Sequence, residues 1–104
     1  MDIEQLRKLC TAKPFMMTRH AEARRRQRGI SVPEIKNAIM TGEIIEDYPD
    51  AYPHPACLVL SLEQADRPLH VVCGVADDTL WVVTVYQPDV SQWESDFRTR
   101  KGDQ

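Results

Sequence analysis

The feature that most constrains the fold is a change of hydrophobic period near Gly42. Before this glycine, apolar residues recur every three to four positions, which predicts helices, and after it they alternate, which predicts strands. Helices followed by consecutive strands are typical of α+β folds and do not fit interleaved βαβ units. We therefore expect N-terminal helices packed on a four-stranded antiparallel sheet, with a short C-terminal helix over 91–98.

The two helices just before Gly42 carry strong end signals. Thr18 can cap the first, over about 19–28, and Gly29 can end it in the left-handed conformation. The second begins with a Ser-x-x-Glu capping box at residue 31 and ends at Gly42. These signals predict where the basic part of the chain lies in the fold.

Four strands are predicted after the helices, over 43–48, 57–62, 68–75 and 79–86. A three-residue loop, 77–79, can join the last two strands into a hairpin. With that loop, His70 pairs with Tyr86, whereas a slip of two residues would pair it with Thr84. In either register the side chains of His70, Thr84 and Tyr86 lie on the sheet face turned away from the helices. On the same alternation, Trp81, Val83 and Val85 face the helices.

The length of 104 residues suits one domain, because two independent cores would leave about 50 residues each. We expect a single domain over 1–104, with an N-terminal helix in 1–13, a core over about 15–98 and a frayed tail over 99–104. No apolar run or N-terminal signal indicates a membrane, so we expect a cytoplasmic protein. Three widely spaced cysteines indicate buried, reduced thiols. No metal and no cofactor is expected.

The net charge of −3 hides an uneven distribution. Residues 1–36 hold nine Lys and Arg against four acidic residues, whereas 37–104 hold four against twelve. His20, Arg24 and Arg28 recur every four positions, so they line one helical stripe. Guanidinium groups bind phosphate well, but the stripe could equally be a solvated face neutralised by the acidic half. The acidic residues considered are Glu43, Glu46, Asp47 and Asp50.

Short, ordered motifs spread over about 15–100 carry a family resemblance. They are His20-Ala21-x-x-Arg24-x-x-x-Arg28-Gly29-Ile30-Ser31, then Leu69-His70-Val71-Val72, then Thr84-Val85-Tyr86-x-Pro88, with Trp93 and Arg98 beyond. On these motifs the chain resembles the DUF4258 domain family, which is grouped with small RelE-like toxins of bacterial toxin–antitoxin systems. The resemblance implies a RelE/barnase-like fold, metal-independent RNA cleavage and a cognate antitoxin as partner.

RNA cleavage without a metal has definite chemical requirements. The 2′-hydroxyl needs a base, the 5′-oxygen needs an acid, and the phosphoryl oxygens need cations. Histidine suits either proton transfer because its ordinary pKa is about 6.5. The expected substrate is RNA, with ribosome-bound mRNA as one form of it. The candidate residues are His20, His70 and Tyr86 for catalysis, and Arg24, Arg28 and Arg98 for binding RNA phosphates.

Each assignment has a structural alternative. His70 could be a strand histidine with satisfied hydrogen bonds, and Tyr86 an ordinary cross-strand aromatic residue. For the whole chain, the alternative is a non-catalytic toxin-like module that binds protein or nucleic acid through its basic helix. A DNA-reading helix-turn-helix is disfavoured, because Ala21 and Ala23 are too little apolar surface to seat a support helix.

Overall fold

The computed structural model describes residues 1–62 and 67–102, which form three helices and a five-stranded sheet. The elements are α1 (Ile3–Ala12), β1 (Met16–Met17), α2 (Arg19–Arg28), α3 (Val32–Thr41), β2 (Glu43–Tyr48), β3 (Ala56–Ser61), β4 (Leu69–Ala76) and β5 (Thr79–Tyr86). The strand order is β1-β5-β4-β3-β2. The α+β class is confirmed, but the sheet is not purely antiparallel, because β1 joins its edge parallel to β5. No helix in the described part of the chain could span a membrane.

Helices α2 and α3 begin and end where their sequence signals predict. Thr18 Oγ1 accepts a hydrogen bond from Ala21 N at 3.0 Å, and Gly29 ends α2 with a φ of 64°. Ser31 Oγ accepts from Glu34 N at 3.2 Å, and Glu34 Oε1 accepts from Ser31 N at 2.9 Å, which completes the capping box. These local features fix both ends of α2 and the start of α3.

All three helices pack on one face of the sheet and form the core with it. Helix α2 packs mainly against β5 and contributes a single buried residue, Ala21. The three cysteines are buried and free, as predicted. The largest core residues are Leu6, Ile30, Ile35, Ile39, Leu69 and Leu80.

The β4–β5 hairpin pairs His70 with Tyr86, as predicted, but it reaches this register by a different route. Its loop has only two residues, Asp77 and Asp78, whose φ angles of 52° and 58° are typical of a type I′ turn. A one-residue bulge at Val83 then shifts the register by one position. At the end of the hairpin away from the turn, the two-residue turn and the bulge together give the pairing that a three-residue loop would give, His70 with Tyr86.

The bulge changes which side chains of β5 face the helices. Leu80 and Val82 lie in the core together with Val85, whereas Trp81 and Val83 line a groove on the opposite face. The prediction that Trp81 and Val83 pack on the helices is therefore wrong. The reason is the bulge, because one extra residue reverses the facing of every residue before it.

The predicted C-terminal helix over 91–98 does not form. The carboxylates of Asp89 and Asp96 accept hydrogen bonds from backbone N–H groups two or three residues further along the chain. Such bonds stabilise turns in competition with helix, and the φ of 59° at Phe97 is not helical. The segment forms turns that cross the sheet face opposite the helices.

The end of the described chain is hydrogen bonded to this segment. Thr99 O accepts from Glu94 N at 2.8 Å, and Lys101 N donates to Gln92 O at 2.9 Å. The frayed tail predicted from residue 99 therefore does not begin there. Residues 103–104 lie outside the described residues, and the single domain stays a prediction.

Candidate functional site

The sheet face opposite the helices, here called the open face, has two halves. Near the β4–β5 hairpin it forms an apolar groove of about 820 Å³. The other half is covered by residues 89–101, here called the C-terminal segment. His70 and Tyr86 lie in this covered half, where Trp93 and the carbonyl of Phe97 contact the imidazole.

His70 is fully buried and both of its ring nitrogens are in use. Nε2 lies 2.7 Å from the Phe97 carbonyl oxygen and donates to it, so Nδ1, 3.3 Å from Tyr86 Oη, accepts from the phenol. The Trp93 ring packs edge-on, with 4.5 Å between ring centroids. Burial lowers the pKa of His70, although the bond to Phe97 acts in the opposite direction. His70 is therefore a neutral imidazole that joins β4 to the C-terminal segment.

An ion-pair cluster holds the C-terminal segment in place. Arg100 Nε and Nη2 donate to the two carboxylate oxygens of Glu46 at 2.8 and 3.0 Å, and Tyr48 Oη donates to the same carboxylate. The guanidinium of Arg100 lies 4.6 Å from the centre of the Trp93 ring. The hydrogen bonds from Arg100 lower the pKa of Glu46, while burial and then Glu46 raise the pKa of Tyr48 to about 12. The cluster thus positions Trp93 over His70.

His20, Arg24 and Arg28, here called the basic stripe, lie on α2 as predicted. His20 and Arg28 are exposed and Arg24 is half-buried. Six of the nine arginines form ion pairs with carboxylates. The other three are Arg19, Arg24 and Arg28, and none of them has a partner among the residues that the structure describes. All three unpaired arginines are on α2.

The acidic residues considered as neutralisers of the stripe are engaged elsewhere or remain unpaired. Asp50 has no ion pair in the described ranges. Within the described part of the chain, these acidic residues therefore do not neutralise α2. Glu43 pairs with Arg98, Glu46 with Arg100, and Asp47 with the amino group of Met1 at 3.5 Å.

The structure divides the candidate residues into separate groups. His70 and Tyr86 contact each other, but within residues 1–62 and 67–102 neither is bonded to the basic stripe. Arg98 binds Glu43 at the start of β2, the sheet edge opposite β1. Three strand spacings, about 14 Å, separate β2 from β5, on which α2 packs. Arg98 thus lies apart from the basic stripe.

Sequence reasoning missed the groove and the cluster around Glu46. The groove contains Trp81 and Tyr52, which were not candidate site residues. One available signal was that β3 and β4 are apolar on both faces, which is typical of a sheet covered on both sides. Nothing comparable in the sequence pairs Arg100 with Glu46, because the two residues are 54 positions apart.

Comparison with known proteins gives a family and nothing narrower. A family model described as "Domain of unknown function (DUF4258)" matches residues 17–87. This range includes the basic stripe and the His70–Tyr86 pair but ends before the C-terminal segment. No curated protein and no solved structure matches the chain. The chemistry of the site therefore has to be argued from its own residues.

Proposed function

The chain belongs to the DUF4258 family, as its motifs predicted, and we propose that it is a metal-independent endoribonuclease that binds RNA through the basic stripe. The observation that carries the proposal is that Arg19, Arg24 and Arg28, all on α2, have no carboxylate partner within the described residues, whereas the other six arginines have one. Unpaired like charges on one helix repel each other, so the surface favours a polyanion. Planar guanidinium groups suit phosphate in particular.

The proposed reaction is attack of the RNA 2′-hydroxyl on the adjacent phosphorus. The 2′-oxygen–phosphorus bond forms and the bond to the 5′-oxygen breaks. Arg24 and Arg28 hold the phosphate and stabilise the charge that develops on its oxygens. The 2′-hydroxyl loses a proton and the 5′-oxygen gains one. His20, one helical turn or about 6 Å along the axis from Arg24, transfers one of these protons, and solvent water transfers the other.

We assign the proton-transfer role to His20 because His70 is buried and its ring nitrogens are already hydrogen bonded. The His70 ring is fully buried, and Phe97 and Tyr86 occupy its two nitrogens. His20 is exposed and has no hydrogen-bonding partner in the described part of the chain. In this proposal His70 and Tyr86 hold the C-terminal segment on the sheet and do not touch substrate.

The test is cleavage of labelled RNA by the purified protein in EDTA, with and without ribosomes. His20→Ala should lower the cleavage rate by about 100-fold or more and leave salt-sensitive RNA binding in place. Gln27→Ala, an exposed neutral position on the same helix, is the control and should cleave normally. If the wild-type protein cleaved no RNA over a range of pH, the enzyme proposal would fail.

Arginine variants test the binding half of the proposal. Arg24→Ala and Arg26→Ala remove the same charge from the same helix, but only Arg26 is paired, with Glu22. We expect Arg24→Ala to weaken RNA binding clearly more than Arg26→Ala. Equal effects would mean that only the net charge of α2 matters, and would remove Arg24 from the proposed site.

A second candidate function is a non-catalytic module that binds RNA through the same stripe. It is favoured by the burial of His70, because general acid–base cleavage uses two proton-transfer groups and the stripe contains one imidazole. RNA binding that depends on Arg24 and Arg28, without cleavage by the wild-type protein, would select this function.

We further propose that this nuclease is the toxin of a bacterial toxin–antitoxin pair, with a cognate antitoxin protein as its partner. We expect the antitoxin to be acidic where it meets the basic stripe, because that surface is unpaired in the described chain. Co-expression with the product of an adjacent gene should give a complex that no longer binds RNA. A complex that leaves the stripe free to bind RNA would contradict this assignment.

A further inference from the structure

The apolar groove on the open face has the size and lining of a ligand site. Its volume of about 820 Å³ lies within the range of small-molecule pockets. The lining is mostly apolar, with Lys13 and Asp77 as its charged residues, and it includes three large aromatic residues, Tyr48, Tyr52 and Trp81. Met16, Val72 and Val83 also line the groove.

The groove leaves apolar side chains open to solvent. Tyr52 is 97% exposed, Met16 48% and Val83 37%. The other half of the same face is covered by the C-terminal segment, which buries His70 completely. An exposed apolar patch beside a covered one is typical of a binding surface.

The groove is continuous with the start of α2. Thr18 lines the groove, caps α2, and donates from its Oγ1 to the carbonyl oxygen of Val83 at 2.7 Å. The next two residues along the chain are Arg19 and His20, at the beginning of the helix that carries the unpaired arginines. A ligand that spans both surfaces would meet flat apolar rings on one side and guanidinium groups on the other.

We propose that the groove binds the unstacked bases of single-stranded RNA whose phosphates lie on α2; this inference rests on the proposed function and narrows its substrate class. Nucleobases are flat and stack on aromatic side chains whatever their sequence. A peptide that binds by strand addition does not fit, because such a peptide adds to a sheet edge, whereas the groove lies on the face of β4 and β5. Bases that are paired in a duplex are not available for such stacking.

The test compares three ligands of equal length on the full chain: a 2′-O-methyl single strand, which cannot be cleaved, the same strand in a duplex, and an abasic strand. We expect the single strand with bases to bind about tenfold or more tightly than the other two. Tyr52→Ala, at a position that is 97% exposed, should remove most of this preference. Val90→Ala, 68% exposed and outside the groove lining, is the matched control.

Tryptophan fluorescence provides a second measurement that does not depend on a variant folding. The chain has two tryptophans, and Trp93 is only 3% exposed, so quenching by added bases reports on Trp81. We expect quenching by the single strand with bases and not by the abasic strand.

The outcomes separate the inference from the proposed function. Equal binding of all three ligands without quenching would overturn the base site and leave phosphate binding on α2 intact. Absence of binding to every ligand would overturn both proposals. Quenching of Trp81 only by a co-expressed protein, with no response to any oligonucleotide, would assign the groove to a protein and overturn the base site.

Discussion

At the scale of single residues, burial decides what His70 can do. The sequence placed this imidazole correctly on the face away from the helices and opposite Tyr86. It did not indicate that the C-terminal segment would cover the ring, because the bond from Nε2 to the Phe97 carbonyl joins residues 27 positions apart. An imidazole with two satisfied nitrogens stabilises the fold instead of exchanging protons with a substrate.

The lowered pKa of His70 predicts how stability depends on pH. Because the unfolded chain takes up a proton at higher pH than the folded chain does, the free energy of unfolding should fall as pH drops below about 6.5. The decrease should end once pH passes below the lowered folded-state pKa. His70→Gln should remove this component, as measured by urea unfolding across that range. Identical acid dependence in the two proteins would contradict the assignment.

At the scale of elements, the helix ends were the most predictable part of the fold. Caps depend on residues a few positions apart, so Thr18, Gly29 and the capping box could be predicted from local sequence alone. The pairing of the two-residue strand β1 with β5 could not be predicted in this way, because it joins Met16 to Trp81, which are far apart in the sequence. The predicted C-terminal helix was wrong because Asp89 and Asp96 stabilise turns instead.

Two glycines at helix ends should respond differently to alanine. A Cβ on Gly42 would lie 2.5 Å from Ala38 O and 2.6 Å from Leu60 O, which are backbone atoms that cannot move aside cheaply. We expect Gly42→Ala to cost about 3 kcal/mol of unfolding free energy. Gly29 has open space around it and only its φ of 64° opposes a side chain, so Gly29→Ala should cost about 1 kcal/mol. Urea unfolding of both variants gives the comparison, and equal costs would contradict it.

The C-terminal segment should depend on Arg100 for its attachment. Arg100→Ala removes the two hydrogen bonds to Glu46 and the contact with the Trp93 ring. Because the side chain of Arg100 is 54% exposed, we expect a loss of only about 1–2 kcal/mol. Hydrogen exchange should increase within 89–101 more than in the sheet, and Lys101→Ala is the control. Uniform loss of protection would instead indicate global destabilisation.

At the scale of the whole molecule, unpaired arginine charge among the described residues is concentrated on helix α2, whereas the chain after residue 36 carries an excess of acidic residues. The net charge is −3, yet the arginines without partners in the described chain all lie on α2. The sequence indicated this asymmetry, but it could not distinguish a neutralised helix from an unpaired one. That distinction depends on long-range pairs such as Glu43–Arg98, which only the folded chain defines.

The separation of charge predicts the salt dependence of RNA binding. For a single strand, each phosphate contact contributes about 0.7 to the slope of log affinity against log salt. The double variant Arg24→Ala/Arg28→Ala should therefore reduce the slope by about 1.4, if each arginine contacts one phosphate. Binding of a fluorescent RNA at several salt concentrations measures the slope, and an unchanged slope would exclude these two residues as contacts.

Helix α2 contributes little to the hydrophobic core, so its sequence can vary more freely than that of the sheet. Only Ala21 of its ten residues is buried, and its caps involve backbone groups and the flanking residues Thr18 and Gly29. Most positions of the helix can therefore change without loosening the scaffold. Descendants of one ancestral chain could acquire new targets by rewriting this outer surface while inheriting the sheet unchanged.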